Sequence, residues 1–170
     1  MKYLYLDFDG VLADFDGFIL QHTGRHWNDK EAKKKETWEF IKTVPNFFNA
    51  LKLTPYAYEI YDLAKATGYK VEGLTAIPWP SAGFLEEGDL PTSGDDKKAW
   101  ALRYFGEEFK VNLGPYAIDK QKWCRPGDVL VDDSVRNIDQ WNAAGGVGIL
   151  HKYDDPMPTL ERLYQIIMTK

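Results

Sequence analysis

The chain's first apolar run ends in Asp7-Phe8-Asp9-Gly10-Val11-Leu12-Ala13-Asp14. In extended chain, residues two apart point to the same side, so Asp7 and Asp9 can face one ligand while Gly10 lets the backbone turn away. Two neighbouring carboxylates repel unless a cation or a proton lies between them. A second acidic end follows the run Val129-Leu130-Val131, as Asp132-Asp133-Ser134. Ser134 can cap the helix expected after it, which leaves at least one of the two acids for other work. Asp132 or Asp133 can complete, with Asp7 and Asp9, an all-oxygen set that suits Mg²⁺, a hard cation able to bridge carboxylates to a phosphate oxygen. Thr75, at the end of the run Tyr69 to Leu74, adds a hydroxyl. Lys120, just after Tyr116-Ala117-Ile118-Asp119, adds a fixed positive charge. A transferring phosphoryl group spreads negative charge over its oxygens, and donors aimed there stabilise it. Singly, a threonine at a strand end reads as a turn residue and a lysine as a surface charge. Their order at the ends of successive runs favours the site.

These residues need a scaffold that brings strand ends together. β-prone apolar runs recur near 2–8, 69–75, 115–118, 128–132 and 146–150. Helical patterns lie between and after them: from Thr54-Pro55 to Gly68, around Ala99 to Gly106, from Ser134 to Gly145, and from Thr159 onward. Alternating strands and helices imply an α/β chain with a Rossmann-like, doubly wound parallel sheet, in which the carboxyl ends of the strands converge on one crevice. Residues 14–53 show no convincing strand. They read as a small, mainly helical cap inserted after the first strand, leaving 1–13 and 54–170 as the core. The run Lys30 to Glu36 reads as a solvated helix face, and residues 78–95 as a loop.

Composition removes whole classes of function. At 170 residues with 44% hydrophobic content, the chain can bury a single core, and no apolar run is long enough to span a bilayer. A net charge of −5 argues against broad attachment to nucleic acid or to an anionic membrane. The lone Cys124 allows no intrachain disulfide, and the N-terminus lacks the layout of a signal peptide, so a cytoplasmic setting is expected. His22, His26 and His151 show no metal-ligand spacing.

The ordered set Asp7-Phe8-Asp9-Gly10-Val11, Thr75, Lys120 and Asp132-Asp133 resembles the four motifs of the haloacid dehalogenase-like (HAD) superfamily, over residues 3 to about 150. The resemblance implies a sheet order of 5-4-1-2-3 and a cap over the site. It assigns Asp7 as a nucleophile that becomes an aspartyl-phosphate, and Asp9 as the acid that protonates the leaving oxygen and then activates water. It also implies bound Mg²⁺. Within the superfamily the chain is most similar to the small 5′(3′)-deoxyribonucleotidases, through Asp7 to Phe15, Phe47-Phe48 ahead of Leu53-Thr54-Pro55, and Lys98 to Gly106. That likeness places a nucleoside monophosphate against Phe47 and Phe48, with its phosphate at Thr75, Ala76 and Lys120. Two departures stand out. Ala76-Ile77-Pro78-Trp79 replaces a serine and a lysine that hold phosphate in those enzymes, and Ser134 stands where they often carry arginine. The residues themselves leave open another small organic phosphate, a nucleic-acid 3′-phosphate end, and a phosphate- or metal-binding module without turnover.

Overall fold

A computed structural model describes residues 1–27, 31–78, 84–114 and 117–169. Strand β1 (Tyr3–Leu6) lies at the centre of a five-stranded sheet, flanked by β2 (Lys70–Ala76) and β4 (Val129–Asp132), with β3 (Val111–Gly114) and β5 (Val147–Leu150) at the edges. All pairings are parallel, with Leu6 opposite Gly73 and Val131. The order β3-β2-β1-β4-β5 is the expected 5-4-1-2-3 read from the other edge. A central strand is covered on both faces, and the alternation in Tyr-Leu-Tyr-Leu serves both. Leu4 and Leu6 join Ala57 and Ile60 of α4 (Ala57–Ala66), Trp100 of α5 (Ser93–Phe105) and Leu163 of α7 (Met157–Met168). Tyr5 turns the other way, with Leu74 and Leu130, against Ile138 and Trp141 of α6 (Val135–Ala143).

Between Ala13 and Leu53 the chain makes an excursion of three helices, α1 (Phe15–Thr23), α2 (Glu31–Thr43) and α3 (Phe47–Ala50). Its two ends are clasped side by side. Asp14 N–H donates to the Lys52 carbonyl at 2.8 Å, Thr54 N–H to Leu12 at 2.8 Å, and the Thr54 hydroxyl to Val11 at 2.7 Å. Asp14 also caps α1 by accepting the Gly17 N–H at 2.9 Å.

Two expectations about elements need correction. The strand expected near 115–118 is displaced: β3 ends at Gly114, and Ala117–Trp123 is a 3₁₀ helix. Val111-Asn112-Leu113 supplies the alternation, a proline follows Gly114 in the sequence, and Ala117 and Ile118 open the 3₁₀ helix; Pro115 and Tyr116 lie outside the described residues. In addition, α5 starts at Ser93, inside the stretch read as a loop. Its Gly94 and acids resemble loop residues, but Asp95 and Asp96 suit the positive end of a helix. Of the Lys30 to Glu36 run, Lys35 and Glu36 are exposed, whereas Lys34 is half-buried over the Trp27 ring, and Lys30 lies outside the described residues. Trp79 lies outside them too.

Candidate active site

The floor of the site begins where β1 stops. Asp7 N–H still donates to the Val131 carbonyl at 3.0 Å, carrying the sheet's register one residue further. Phe8 then dives into the core, where its ring packs on Trp100 and Phe109. Gly73 makes room for it, since a Cβ there would lie 2.6 Å from the Phe8 ring. With Phe8 pinned, the backbone doubles back, and its carbonyl accepts from the N–H groups of Val11, Leu12 and Ala13. Gly10 adopts φ +82°, and a Cβ there would stand 2.2 Å from the Asp133 carboxylate. Position 10 therefore requires glycine on both counts, and Asp7 and Asp9 are left flanking the anchor.

Asp132 and Asp133, adjacent in sequence, do different things. Asp132 is fully buried, and both its oxygens are occupied by donors: the Ser134 N–H at 2.8 Å, the Asn137 amide at 3.1 Å to each oxygen, and Lys120 Nζ at 2.6 Å. Lys120, itself 2% exposed, reaches Asp7 at 2.8 Å. Asp132 thus holds Lys120, and Lys120 holds Asp7. Burial opposes the charge on Lys120, but Asp7 and Asp132 outweigh it and raise its pKa above the usual lysine range. Asp133 has no such donors among the described residues; it keeps exposed surface at the mouth while its carboxylate lies over Gly10.

The acids left short of partners resist ionisation. Burial, with Asp132 and Asp9 adding repulsion, overcomes the attraction of Lys120 and raises Asp7 from 3.8 to about 7. Burial and then the charges of Asp7 and Asp132 raise Asp133 to about 8. Oxygens of Asp7, Asp132 and Asp133 lie within 4.8 Å of one another. Asp9 Oδ1 is buried with no hydrogen-bond partner. An all-oxygen cluster with resisted charges and an orphaned carboxylate oxygen beside it fits a hard divalent cation.

A second lysine, which sequence reasoning missed, completes the floor. Lys97, 2% exposed, points from α5 to Asp9 Oδ2 at 2.7 Å, the Thr75 hydroxyl at 2.9 Å and the Ala76 carbonyl at 2.9 Å. Its Nζ lies 4.5 Å from the centre of the Phe48 ring. Thr75 and Ala76 therefore meet Asp9 through Lys97, and the carboxylate of Asp9 pairs with this lysine rather than joining the three-acid cluster. The missed signal is a lysine four residues into a helix that starts with acids, and it becomes visible only once the helix start is placed at Ser93.

Above the floor lies a cavity of about 520 Å³, whose walls include Phe15, Trp27, Trp38 and Phe48. These rings brace one another: Phe15 meets Trp27 at 5.5 Å and Trp38 at 6.4 Å, and the two tryptophans meet at 5.9 Å. The two phenylalanines expected to act together touch edge to face, their rings 5.0 Å apart, but only one of them borders the cavity. Both are buried in the same core, at 1% and 3% exposed, and Phe48 lines the cavity while Phe47 packs against Phe15 and Phe18. Adjacent residues on a helix face different directions.

No family model matches the sequence, and no curated protein matches it. Among solved structures, the chain is similar over its whole length to the whole of D,D-heptose 1,7-bisphosphate phosphatase from B. bronchiseptica, solved with magnesium and phosphate, at 16% identity and a TM-score of 0.54. A HAD-superfamily hydrolase from Ehrlichia chaffeensis aligns over 98% of this chain and 99% of its own, at 14% identity and a TM-score of 0.49. The first likeness is one of fold.

Proposed function

We propose that this chain is a HAD-type phosphomonoesterase that works through an aspartyl-phosphate on Asp7, with a (deoxy)nucleoside monophosphate as substrate. The observation that carries the reading is the environment of Asp7: a buried carboxylate gripped by Lys120, flanked by Asp9 and Asp133, at the bottom of a cavity with aromatic walls. The fold it shares with a phosphatase solved with magnesium and phosphate supports the same reading.

In this reading substrate replaces the Lys97–Asp9 pairing: Asp7 attacks the phosphorus and the bond to the leaving oxygen breaks, while Asp9 in its acid form gives its proton to that oxygen and Lys97 turns to the phosphoryl group. Asp9, now a carboxylate, takes a proton from the water that hydrolyses the acyl-phosphate, so one residue serves both displacements. Lys97 and the Thr75 hydroxyl donate to the phosphoryl oxygens as charge builds on them, and Lys120 keeps Asp7 oriented. Asp7 and Asp133, with Asp132 behind them, would hold Mg²⁺, which when bound neutralises charge between the carboxylates and the phosphate. Residues 14–53 act as the cap, and the core comprises 1–13 and 54–170. Phe15, Trp27, Trp38 and Phe48 exclude water, and one or more of them stacks on the base. No helix among the described residues is long and apolar enough to cross a membrane; a cytoplasmic setting, with a small metabolite rather than nucleic acid as partner, completes the proposal.

Phosphate release across nucleoside monophosphates, sugar phosphates, an aryl phosphate and a 3′-phosphorylated oligonucleotide, with Mg²⁺ and with excess chelator, tests it. Chelator-sensitive turnover that is fastest on mononucleotides is expected. Turnover indifferent to chelator would remove the metal, and tight binding without release would favour a non-catalytic module.

A further inference from the structure

The proposed cavity contains one acid that the chemistry above does not use. Asp16, in the first turn of α1, lines the same cavity as Asp7, Asp9 and Asp133. One of its oxygens accepts the Trp27 N–H at 3.2 Å, which ties it to the aromatic wall. Its neighbour Asp14 is consumed in capping α1, but Asp16 has no cationic partner among the described residues. Only two cations among the described lining residues face the cavity, and both are committed. Lys120 is shared by Asp7 and Asp132, and Lys97 bridges Asp9 and Thr75. Lys34 lies 5.8 Å from the centre of the Trp27 ring, but it is not a lining residue.

The charge therefore divides by location. The cations of the described lining all sit in the floor, whereas the described wall offers rings and a carboxylate. We infer that Asp16 is a specificity residue acting as a charge filter, which restricts the site to substrates carrying a single phosphate and an uncharged or cationic remainder. A second phosphate held near the wall would meet Asp16 with no basic group among the described lining residues beside it to offset the repulsion, and discrimination by such a repulsive element is a standard route to specificity. This inference rests on the phosphatase reading and narrows its substrate class.

The test compares kcat/KM for a nucleoside 5′-monophosphate, the 3′,5′-bisphosphate of the same nucleoside and a small aryl phosphate, in wild type, Asp16→Asn and Asp16→Glu. Asparagine keeps an acceptor for the Trp27 N–H while removing the charge. The wild type should favour the monophosphate over the bisphosphate by about tenfold or more, Asp16→Asn should shrink that ratio at least about threefold, and Asp16→Glu should restore it. A wild type indifferent to the second phosphate, or an Asp16→Asn variant that slows all three substrates by one factor, would overturn the filter. If no substrate is turned over, the phosphatase reading has failed instead. Calorimetric titration of the mono- and bisphosphate into wild type and Asp16→Asn then still reads the same preference, and equal affinities for the two ligands would overturn it.

Discussion

A buried acid stands at each end of strand β4, Asp128 just before it and Asp132 at its close, and both are well supplied with donors, but what surrounds them differs. Asp128 accepts the Tyr3 N–H at 2.8 Å and both the backbone and side chain of Arg125. It ties the first residue of β1 to the turn before β4 and has donors for both its oxygens. At the other end, Asp132 is equally well supplied, but it spends its donors holding Lys120, and the acids beyond it are left short. Asp7 and Asp133 keep raised pKa values, and Asp9 keeps an orphaned oxygen. One sheet thus supports a satisfied pole and a frustrated pole. The contrast teaches where to look for chemistry: a buried charge with all its partners is architecture, whereas buried charges that repel one another persist only where something else completes them.

Substitutions at the two poles should behave differently. The largest effect is expected from Asp7→Asn, which should lower kcat by at least about 10³-fold in a phosphate-release assay while the melting temperature holds or rises, because one repelling charge is gone. Asp128→Asn should do the reverse, lowering stability by about 1–3 kcal/mol in denaturant titration and sparing the kcat of the folded fraction. Loss of turnover in both would dissolve the distinction between the poles.

The two lysines sharpen it. Lys97→Met should reduce kcat by about 10²–10³-fold, as expected for loss of a donor to developing charge. Lys120→Met strips a buried cation from two buried carboxylates and should also destabilise the fold by about 3–5 kcal/mol. Equal unfolding midpoints for the two variants would contradict this division.

Of the aromatic pair, Phe47→Ala should cost about 3–5 kcal/mol of stability as a core truncation. Phe48→Ala, a buried ring too, should lose stability as well, and should in addition weaken kcat/KM for nucleotides relative to an aryl phosphate, with about 1–3 kcal/mol of stacking at stake. Indistinguishable profiles would mean that both rings only hold the fold.

The smallest effect is on pH dependence. Asp133 in the metal-free protein has a folded pKa of about 8 against the usual 3.8, so the native state binds a proton that the unfolded state releases. Its contribution to stability is therefore lost as pH rises from about 4 to 8. Compared with wild type, Asp133→Asn should gain thermal stability progressively across that range; because Asp133 keeps exposed surface, solvent screens most of the shift, leaving a gain of a few degrees, each kcal/mol being worth about 2–4 °C at this size. A difference that does not change with pH would place the proton elsewhere.

The frustrated pole was legible in the sequence to the extent that strands carry it. Asp7, Asp9, Thr75, Asp132 and Asp133 follow or end apolar runs, and parallel pairing gathers such ends regardless of detail. Lys120 was found although its setting was misread, because a 3₁₀ helix after β3 leaves it at the same end of the sheet as a strand would. Lys97 was not legible, since it depends on where a helix begins in a stretch rich in glycine and proline. The wall was half legible. The aromatic residues of 14–53 were visible, but which of them face the cavity depends on helix rotation: composition cannot separate Phe47 from Phe48, nor single out Trp27 and Trp38. The satisfied pole gave no signal, because an acid that opens the run 128–132 carries no mark of the Tyr3 and Arg125 donors it will meet.

The central claim, that the frustrated carboxylate at the end of β1 becomes phosphorylated, has one direct measurement. Protein mixed with a nucleoside monophosphate and Mg²⁺, quenched in acid within a turnover and analysed by mass spectrometry, should show a phosphoryl group on the peptide containing Asp7, absent in Asp7→Asn and after chelation. Rapid phosphate release with that peptide unmodified at every quench time, or the same adduct in Asp7→Asn, would contradict the account.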